Sequence, residues 1–192
     1  MRLSTARIAP IADHEITPEQ EEVLAPFRDA ALVGPGIANI FRTLARAPKA
    51  LKRFNLWGSY ILGPSNDLSP RDRELIILRT GWLCRSGYEW VQHVRIGLAA
   101  GLTPLEIERI KAGPDAPGWQ AIDAAMLRAT DEQVRDHFIS DASWAALASF
   151  TDKQKMDLVF TIAQYTQVAM ILNCLGVQLD AGQTLDSDFP TG

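Results

Sequence analysis

A recurring helix start constrains the fold of this chain more than any other feature of its sequence. At Thr17, Ser69 and Thr103, a hydroxyl residue is followed directly by proline. Proline suits the first helical position because the amide hydrogen it lacks would have no partner there, and Ser or Thr caps the next amides. Gln20 and Glu106 stand three residues after two of these caps and complete a capping box.

We find no segment of alternating apolar and polar residues bounded by turns, as strands would require. The sequence therefore predicts an all-α bundle of about eight or nine helices on short connections. Glycine and proline place the other boundaries, with a break at Gly34-Pro35-Gly36 and a helix start at Pro48. The later helices are predicted over 119–137, 141–150 and 152–179.

The length of 192 residues fits a single domain, 1–192, with its core at about 35–180. Residues 1–16 and the tail 181–192 are predicted to be extended arms that fray or wrap a neighbouring subunit. Hydrophobic residues make up 47% and charged residues 22% of the chain, which is typical of a soluble globular protein.

Charge and cysteine content narrow the function classes. A net charge of −4 offers no basic surplus for nucleic acid or anionic lipid. The most apolar stretch, 159–172, contains polar residues at 164–167, so we predict a buried helix there rather than a membrane span. The first residues lack the apolar core of a signal peptide. Two cysteines form no disulfide framework, and a reducing cytoplasm is expected.

Glu74 is the most unusual residue of the helix predicted to begin at Pro70. On a helical wheel it points the same way as Ile77, Leu78 and Gly81. The opposite, polar face consists of Asp72, Arg73, Arg79 and Thr80. A carboxylate in an apolar stripe is costly unless it is paired or protonated. Glu74 therefore either satisfies a buried arginine or helix end, or serves in proton transfer, and the wheel favours neither.

The next helix places His93 on an apolar flank and Glu89 one turn before it. Its polar face is predicted to hold Tyr88, Gln92 and Arg95. Ser86 and Glu89 fit a Ser-x-x-Glu capping box, which would give Glu89 a structural role. A lone histidine on an apolar flank is more often a satisfied core residue than a catalyst. Against this, Glu74, Glu89 and His93 all point inward from consecutive helices, as in an acid/base centre.

Metal and redox chemistry are less favoured. Glu89 and His93, with Glu74 as a third ligand, have the spacing of a metal site, but His14 and His137 add no ligand-like pattern. We therefore predict no metal and no cofactor. Of the two cysteines, Cys84 closes a helix without a nearby resolving thiol, and Cys174 is expected to be a small core residue.

The region around Glu74 and His93 resembles the carboxymuconolactone decarboxylase family, the non-redox branch of the alkylhydroperoxidase D-like superfamily. The segment that carries the resemblance is ELIILRTGWLCRSGYEWVQHVRIGLAAGLTPLEIERI. Its flanks NIFRTLARAPKALKRFNLWGSYIL and DLVFTIAQYTQVAMILNCLGVQLD are similar to the preceding and closing helices of the family. The resemblance covers most of residues 35–180 and is most specific in YEW-x-x-H.

The redox branch of that superfamily has a glutamate, then Cys-x-x-Cys, then a histidine. In this chain Glu74 takes the glutamate position and His93 the histidine position, while Ser86 and Glu89 replace the two cysteines. Cys84 lies two residues away from the first thiol position. Peroxidase chemistry needs one thiol to attack and another to resolve, so its route is missing here.

The resemblance implies an alkylhydroperoxidase D-like helical bundle that assembles as a trimer or hexamer, with pockets near subunit contacts. It also implies a lyase that uses His93 as general acid/base, with Glu89 or Glu74 orienting it, on a small lactone or carboxylic acid. Anion-binding candidates are Arg42, Arg46, Arg79 and Arg95. Two alternatives stay open, namely a peroxiredoxin-type antioxidant enzyme dependent on Cys84 and a non-catalytic oligomeric scaffold or ligand-binding protein.

Overall fold

The computed structural model describes residues 3–28 and 36–189. In these residues it contains nine α-helices, two short 3-10 helices and no strand, which confirms the all-α prediction. The 3-10 helices are Asp13–Glu15 and Ala25–Phe27. The α-helices are α1 (Pro18–Leu24), α2 (Asn39–Leu44), α3 (Pro48–Leu62), α4 (Pro70–Leu83), α5 (Gly87–Ala99), α6 (Pro104–Ala112), α7 (Ala121–Asp136), α8 (Asp141–Ala146) and α9 (Asp152–Leu175).

The predicted helix starts are confirmed at atomic level. The side chains of Thr17 and Thr103 accept hydrogen bonds from the backbone amides of Gln20 and Glu106, and both capping boxes are complete. The Ser69 hydroxyl accepts from the amide three residues later. Of the predicted break at 34–36, residues 34 and 35 lie outside the described part of the chain.

Helix ends were predicted less well than helix starts. The last helix ends at Leu175 rather than at residue 179, because Gly176 adopts a left-handed conformation with φ 68°. The Gly176 amide donates to the Asn173 carbonyl, and the Val177 amide donates to the Leu172 carbonyl, which closes the helix. The helices predicted over 119–137 and 141–150 are likewise shorter, and α7 ends where residue 137 turns left-handed.

Helix α4 is the central element of the fold and packs against α5, α6, α7 and α9. Every residue from Glu74 to Gly81 is buried, including Arg79 and Thr80. The prediction of an outward polar face at Arg79 and Thr80 is therefore wrong. The helical wheel assumed one solvent-facing side, whereas a helix surrounded by four others has none over these two turns.

Helix α9 is long and apolar enough to cross a membrane by length and composition alone. It packs against α3, α4, α5 and α7, and its buried positions include Leu158, Ile162, Val168 and Leu172. These contacts make α9 a partly buried helix of the bundle, as the sequence predicted.

The described parts of both arms pack on their own chain, and contact with a neighbouring subunit stays a prediction. In the N-terminal arm, the Arg7 amide donates to the Leu175 carbonyl at 2.9 Å. The Arg42 guanidinium donates to the Ile11 carbonyl at 3.0 Å. Burial of Ile11 against the start of the bundle fixes this arm.

The C-terminal tail covers the face of α5 that was predicted to be polar and exposed. Asp180 accepts hydrogen bonds from the Tyr88 hydroxyl and the Gln92 amide, both at 2.8 Å. Farther along, Phe189 is buried against Trp82 and Trp90. Tyr88 and Gln92 are consequently buried, which corrects the predicted polar face, while Arg95 is exposed as predicted.

Candidate functional site

Glu74 and His93 meet between α4 and α5. The Glu74 Oε2 and His93 Nδ1 atoms lie 2.8 Å apart, and the two residues are only 3% and 8% exposed. In the tautomer whose Nδ1 donates to this carboxyl oxygen, Nε2 is left as the acceptor. Gly97, one turn after His93, lets α5 pack closely here, because a Cβ at this position would lie 3.0 Å from Leu102 Cδ1 and 3.2 Å from Leu78 Cδ1.

Tyr165 of α9 fixes the other side of the imidazole. Its ring meets that of His93 edge to face, with centroids 4.8 Å apart and planes at 86°. Burial, followed by the charges of Glu74 and Glu89, raises the pKa of the Tyr165 hydroxyl well above its ordinary value. Tyr165 is therefore a neutral phenol, able to donate a hydrogen bond.

Glu89 is buried without a partner. It is 2% exposed, and neither carboxyl oxygen has a hydrogen bond within the described residues. Burial, and then the charge of Glu74, raise the pKa of Glu89 well above its ordinary value. Gly81 makes room for this side chain, since a Cβ there would lie 3.1 Å from Glu89 Oε1. The arrangement favours the protonated carboxylic acid.

The capping box predicted for Ser86 and Glu89 is not formed. Ser86 stands at the helix start, but its hydroxyl makes no cap hydrogen bond and is buried without a partner. The prediction is wrong because the short turn from Cys84 to Ser86 is closed by backbone bonds, in which the Ser86 amide donates to the Gly81 carbonyl at 2.9 Å. The structural role considered for Glu89 is thus absent.

A cavity of about 410 Å³ opens beside this group. Its volume falls in the usual range of roughly 300–1,000 Å³ for ligand sites. Both Glu89 and His93 line it, whereas Glu74 lies behind His93 and reaches the cavity only through the imidazole. The wall is mostly apolar and consists of Pro26, Phe27, Ile40, Phe41, Phe54, Asn55, Gly58, Ser59, Ile61, Leu62, Tyr88, Gln92, Ile96, Gln164, Tyr165, Val168 and Leu172.

None of the four arginines considered as anion-binding groups lines this cavity. Arg79 was predicted to point outward, but it is buried and bonded to both carboxyl oxygens of Asp131. Arg42 and Arg46 donate to backbone carbonyls of the N-terminal arm. Arg95 is exposed on the other side of α5.

Two polar groups of the cavity were missed in the sequence analysis. Gln164 and Tyr165 are buried on α9, line the cavity, and have no side-chain hydrogen bond to any described residue. The signal was present, because these polar residues interrupt the most apolar stretch of the chain. We interpreted that interruption as an argument against a membrane span and not as a site.

The thiols are separate from the cavity wall. Cys84 is partly buried, and burial, followed by the charge of Glu89, raises the pKa of its thiol to about 11. A thiol with that pKa is a poor nucleophile at neutral pH. Cys174 is exposed, so its prediction as a core residue is wrong. Within the described residues no cluster of three His, Cys, Asp or Glu side chains is arranged for a metal ion.

One protein family matches part of this chain. Residues 48–132 match the Carboxymuconolactone decarboxylase family, a span that includes Glu74, Glu89 and His93. No curated protein matches the chain significantly.

Solved structures share the fold at low sequence identity. An alkylhydroperoxidase AhpD core, an uncharacterised peroxidase-related protein from Ralstonia eutropha, is 20% identical with a TM-score of 0.78, over 92% of this chain and 93% of that one. An uncharacterised peroxidase-related protein from Silicibacter sp. is 16% identical with a TM-score of 0.79, over 94% of each chain. The debrominase Bmp8, in complex with 2,3,4-tribromopyrrole, is 12% identical with a TM-score of 0.76, over 94% and 95%.

Proposed function

The chain belongs to the carboxymuconolactone decarboxylase family, and we propose that it is a decarboxylase-like lyase that uses thiol-independent general acid/base chemistry on a small lactone or carboxylic acid. The observation that carries the proposal is the hydrogen bond of 2.8 Å between Glu74 and His93 at the wall of an apolar cavity. A histidine oriented by a buried carboxylate is a suitable group to move protons near neutral pH.

His93 acts at the carbon next to the substrate carbonyl. In a decarboxylation, the bond to the leaving CO₂ breaks and its electron pair stays on that carbon, which gives an enolate. Protonated His93 then donates its Nε2 proton to the carbon. On a lactone the same imidazole removes a proton from that carbon, and the electron pair moves into the enolate. Such proton transfers contribute roughly 10²–10⁴-fold to the rate.

The two glutamates have different roles in this proposal. Glu74 is a positioning residue, because its contact is with the Nδ1 atom of His93 and not with the cavity. Glu89 keeps a second negative charge away from the reacting carbon, since burial favours its protonated form. A neutral carboxylic acid in an apolar site does not repel the developing charge as a carboxylate would.

The alternatives in other function classes have less support. A non-catalytic scaffold would be expected to satisfy its buried polar groups, yet Glu89 and Ser86 have no partner among the described residues. A peroxidase dependent on Cys84 would need a reactive thiolate, which the burial of that thiol opposes.

We also propose a cytoplasmic homo-oligomer, a trimer or hexamer, as the working state. The outer face of α3 supports an assembly, because Leu56 and Leu62 are 68% and 43% exposed and Leu62 belongs to the cavity wall. Light scattering after size exclusion should then give a mass of three or six chains, and a monomer would refute this part.

The proposal is tested by screening small lactones and carboxylic acids for turnover and then assaying His93→Ala. We expect a loss of about 10²-fold or more in kcat/KM, with little change in thermal stability. His14→Ala is the matched control, since His14 is exposed in a short 3-10 helix. Full activity in His93→Ala would refute the assignment.

A further inference from the structure

We propose that the cavity takes an uncharged, mostly apolar ring compound, and that Gln164 and Tyr165 hold its polar edge. The inference rests on the proposed function in that it names the substrate class of the same site. Of the two reactions given above, it selects proton removal from a neutral lactone over loss of CO₂ from a free carboxylate.

The described cavity wall holds no permanent positive charge to pair with an anion, because its one basic side chain is His93, which is already bonded to Glu74. No lysine or arginine is among the described residues that line it, and residues 29–35, which the structure does not describe, contain none in their sequence. A carboxylate ligand would lose its water shell without gaining a cation, which costs far more than burying a neutral group.

A cationic ligand is also disfavoured. Among the described residues of the wall, the only carboxyl group belongs to Glu89, and both of its oxygens are inaccessible, with Oε1 directed at Gly81. The other ionisable groups among these residues are the imidazole of His93 and the phenols of Tyr88 and Tyr165. An ammonium group would therefore find no accessible carboxylate in the described wall.

Gln164 and Tyr165 provide the polar recognition that an uncharged ligand needs. Both are at least nine-tenths buried, and neither side chain has a hydrogen-bond partner among the described residues. The amide of Gln164 offers a donor and an acceptor, and the hydroxyl of Tyr165 offers a second donor. Buried polar groups are normally satisfied, so two unpaired ones at a cavity point to a ligand that completes them.

The remaining wall favours a flat, apolar molecule. Phe27 and Phe41 stack with ring centroids 3.7 Å apart and an interplanar angle of 12°. Phe54 and Ile96 add further apolar surface to the same cavity. Aromatic and aliphatic walls of this kind gain most from rings, because a rigid ring buries area at little cost in conformational entropy.

A matched pair of probes tests the charge preference on the full chain. Phthalide is a neutral aromatic lactone, and 2-(hydroxymethyl)benzoate is its ring-opened anion with the same carbon skeleton. Titrations followed by NMR at pH 7.5 should show phthalide binding at least about tenfold more tightly, because the anion loses hydration without a cationic partner. Equal or tighter binding of the benzoate, or binding of neither probe, would overturn the inference.

Variants then locate the contacts. Gln164→Leu should weaken phthalide binding about fivefold by removing one hydrogen bond, whereas Gln167→Leu, on the exposed side of the same helix, should not change it. If both variants bind phthalide equally, the assigned role of Gln164 is wrong. Ser59→Arg, which adds a cation at an exposed position of the wall, should raise affinity for the benzoate, and an unchanged preference would contradict the charge argument.

These outcomes are separable from those of the proposed function. Selective phthalide binding together with full turnover by His93→Ala would refute the chemistry and leave the binding inference intact. Loss of turnover in His93→Ala together with a preference for the benzoate would support the chemistry and refute the binding inference.

Discussion

Two buried polar groups on opposite sides of α4 differ in how completely they are satisfied. Arg79 donates to both carboxyl oxygens of Asp131 and to the carbonyls of Ile110 and Lys111. On the other side, the bond between Glu74 and His93 lies beside an unpaired carboxyl group and an open cavity. Both are equally hidden from solvent, so burial does not distinguish them.

The difference teaches which buried charges are structural. A group whose hydrogen-bonding capacity is used up within the protein has nothing left for a ligand, and it serves the fold. A group with unused capacity at a cavity costs stability, and this cost is typical of functional sites. Arg79 thus belongs to the framework, although the sequence ranked it among the anion-binding candidates.

The largest effect that this comparison predicts is a loss of stability when the pair of Arg79 and Asp131 is broken. Asp131→Ala leaves the buried Arg79 guanidinium without its carboxylate and should lower the free energy of unfolding by about 3–5 kcal/mol. Urea denaturation measures it, with Asp136→Ala at an exposed position of the same helix as control. Phthalide affinity well below the melting temperature should be unchanged. A loss of phthalide affinity as large as the loss of stability would contradict the distinction between a structural Arg79–Asp131 pair and a functional Glu74–His93 pair.

The next effect concerns Glu74. Glu74→Gln keeps the size and a hydrogen-bonding group but removes the charge beside His93, so turnover should fall about tenfold or more. The pH profile of kcat/KM should move as well, which a purely structural role would not cause. A loss of rate without any change in the pH profile would indicate that Glu74, like Arg79, has a structural role.

A smaller, pH-dependent effect is expected for Glu89. Because its folded-state pKa is raised, its contribution to stability is complete below the unfolded-state value near 4.5 and is lost as the pH rises. Glu89→Gln removes this loss, so its melting temperature should exceed that of the wild type increasingly above pH 5. We expect about 2–4 °C near pH 8, or roughly 1 kcal/mol in a chain of this size.

Glu19→Gln, at an exposed position in the first turn of α1, is the control for that measurement. If the difference in melting temperature between Glu89→Gln and the wild type stays constant from pH 5 to 8, Glu89 is not the buried acid inferred here.

The smallest effect is expected for the thiol. Cys84→Ser should leave lactone turnover unchanged, because the thiol is not part of the cavity wall and burial holds its pKa at about 11. Peroxide consumption with a reducing partner should be absent in both proteins. Consumption by the wild type that disappears in Cys84→Ser would revive the antioxidant alternative.

The sequence predicted part of this site because part of it is local. A period of 3.6 residues is enough to turn Glu74 and His93 inward from consecutive helices, and the structure joins them by one hydrogen bond. The same period wrongly predicted that Arg79 faces outward, because its partner Asp131 lies 52 residues away on α7. It also missed Gln164 and Tyr165, whose importance depends on which helices border the cavity.

By itself, the sequence determined the helix starts, the inward direction of the glutamate and histidine, and the lack of a thiol pair. Each of these depends on neighbouring residues or on composition. The tertiary structure alone decided that Glu89 makes no cap bond, that Arg79 is satisfied, and that α3, α5 and α9 enclose a cavity. The reason is physical: whether a buried polar group is paired depends on distant residues brought beside it, and no local pattern records that contact.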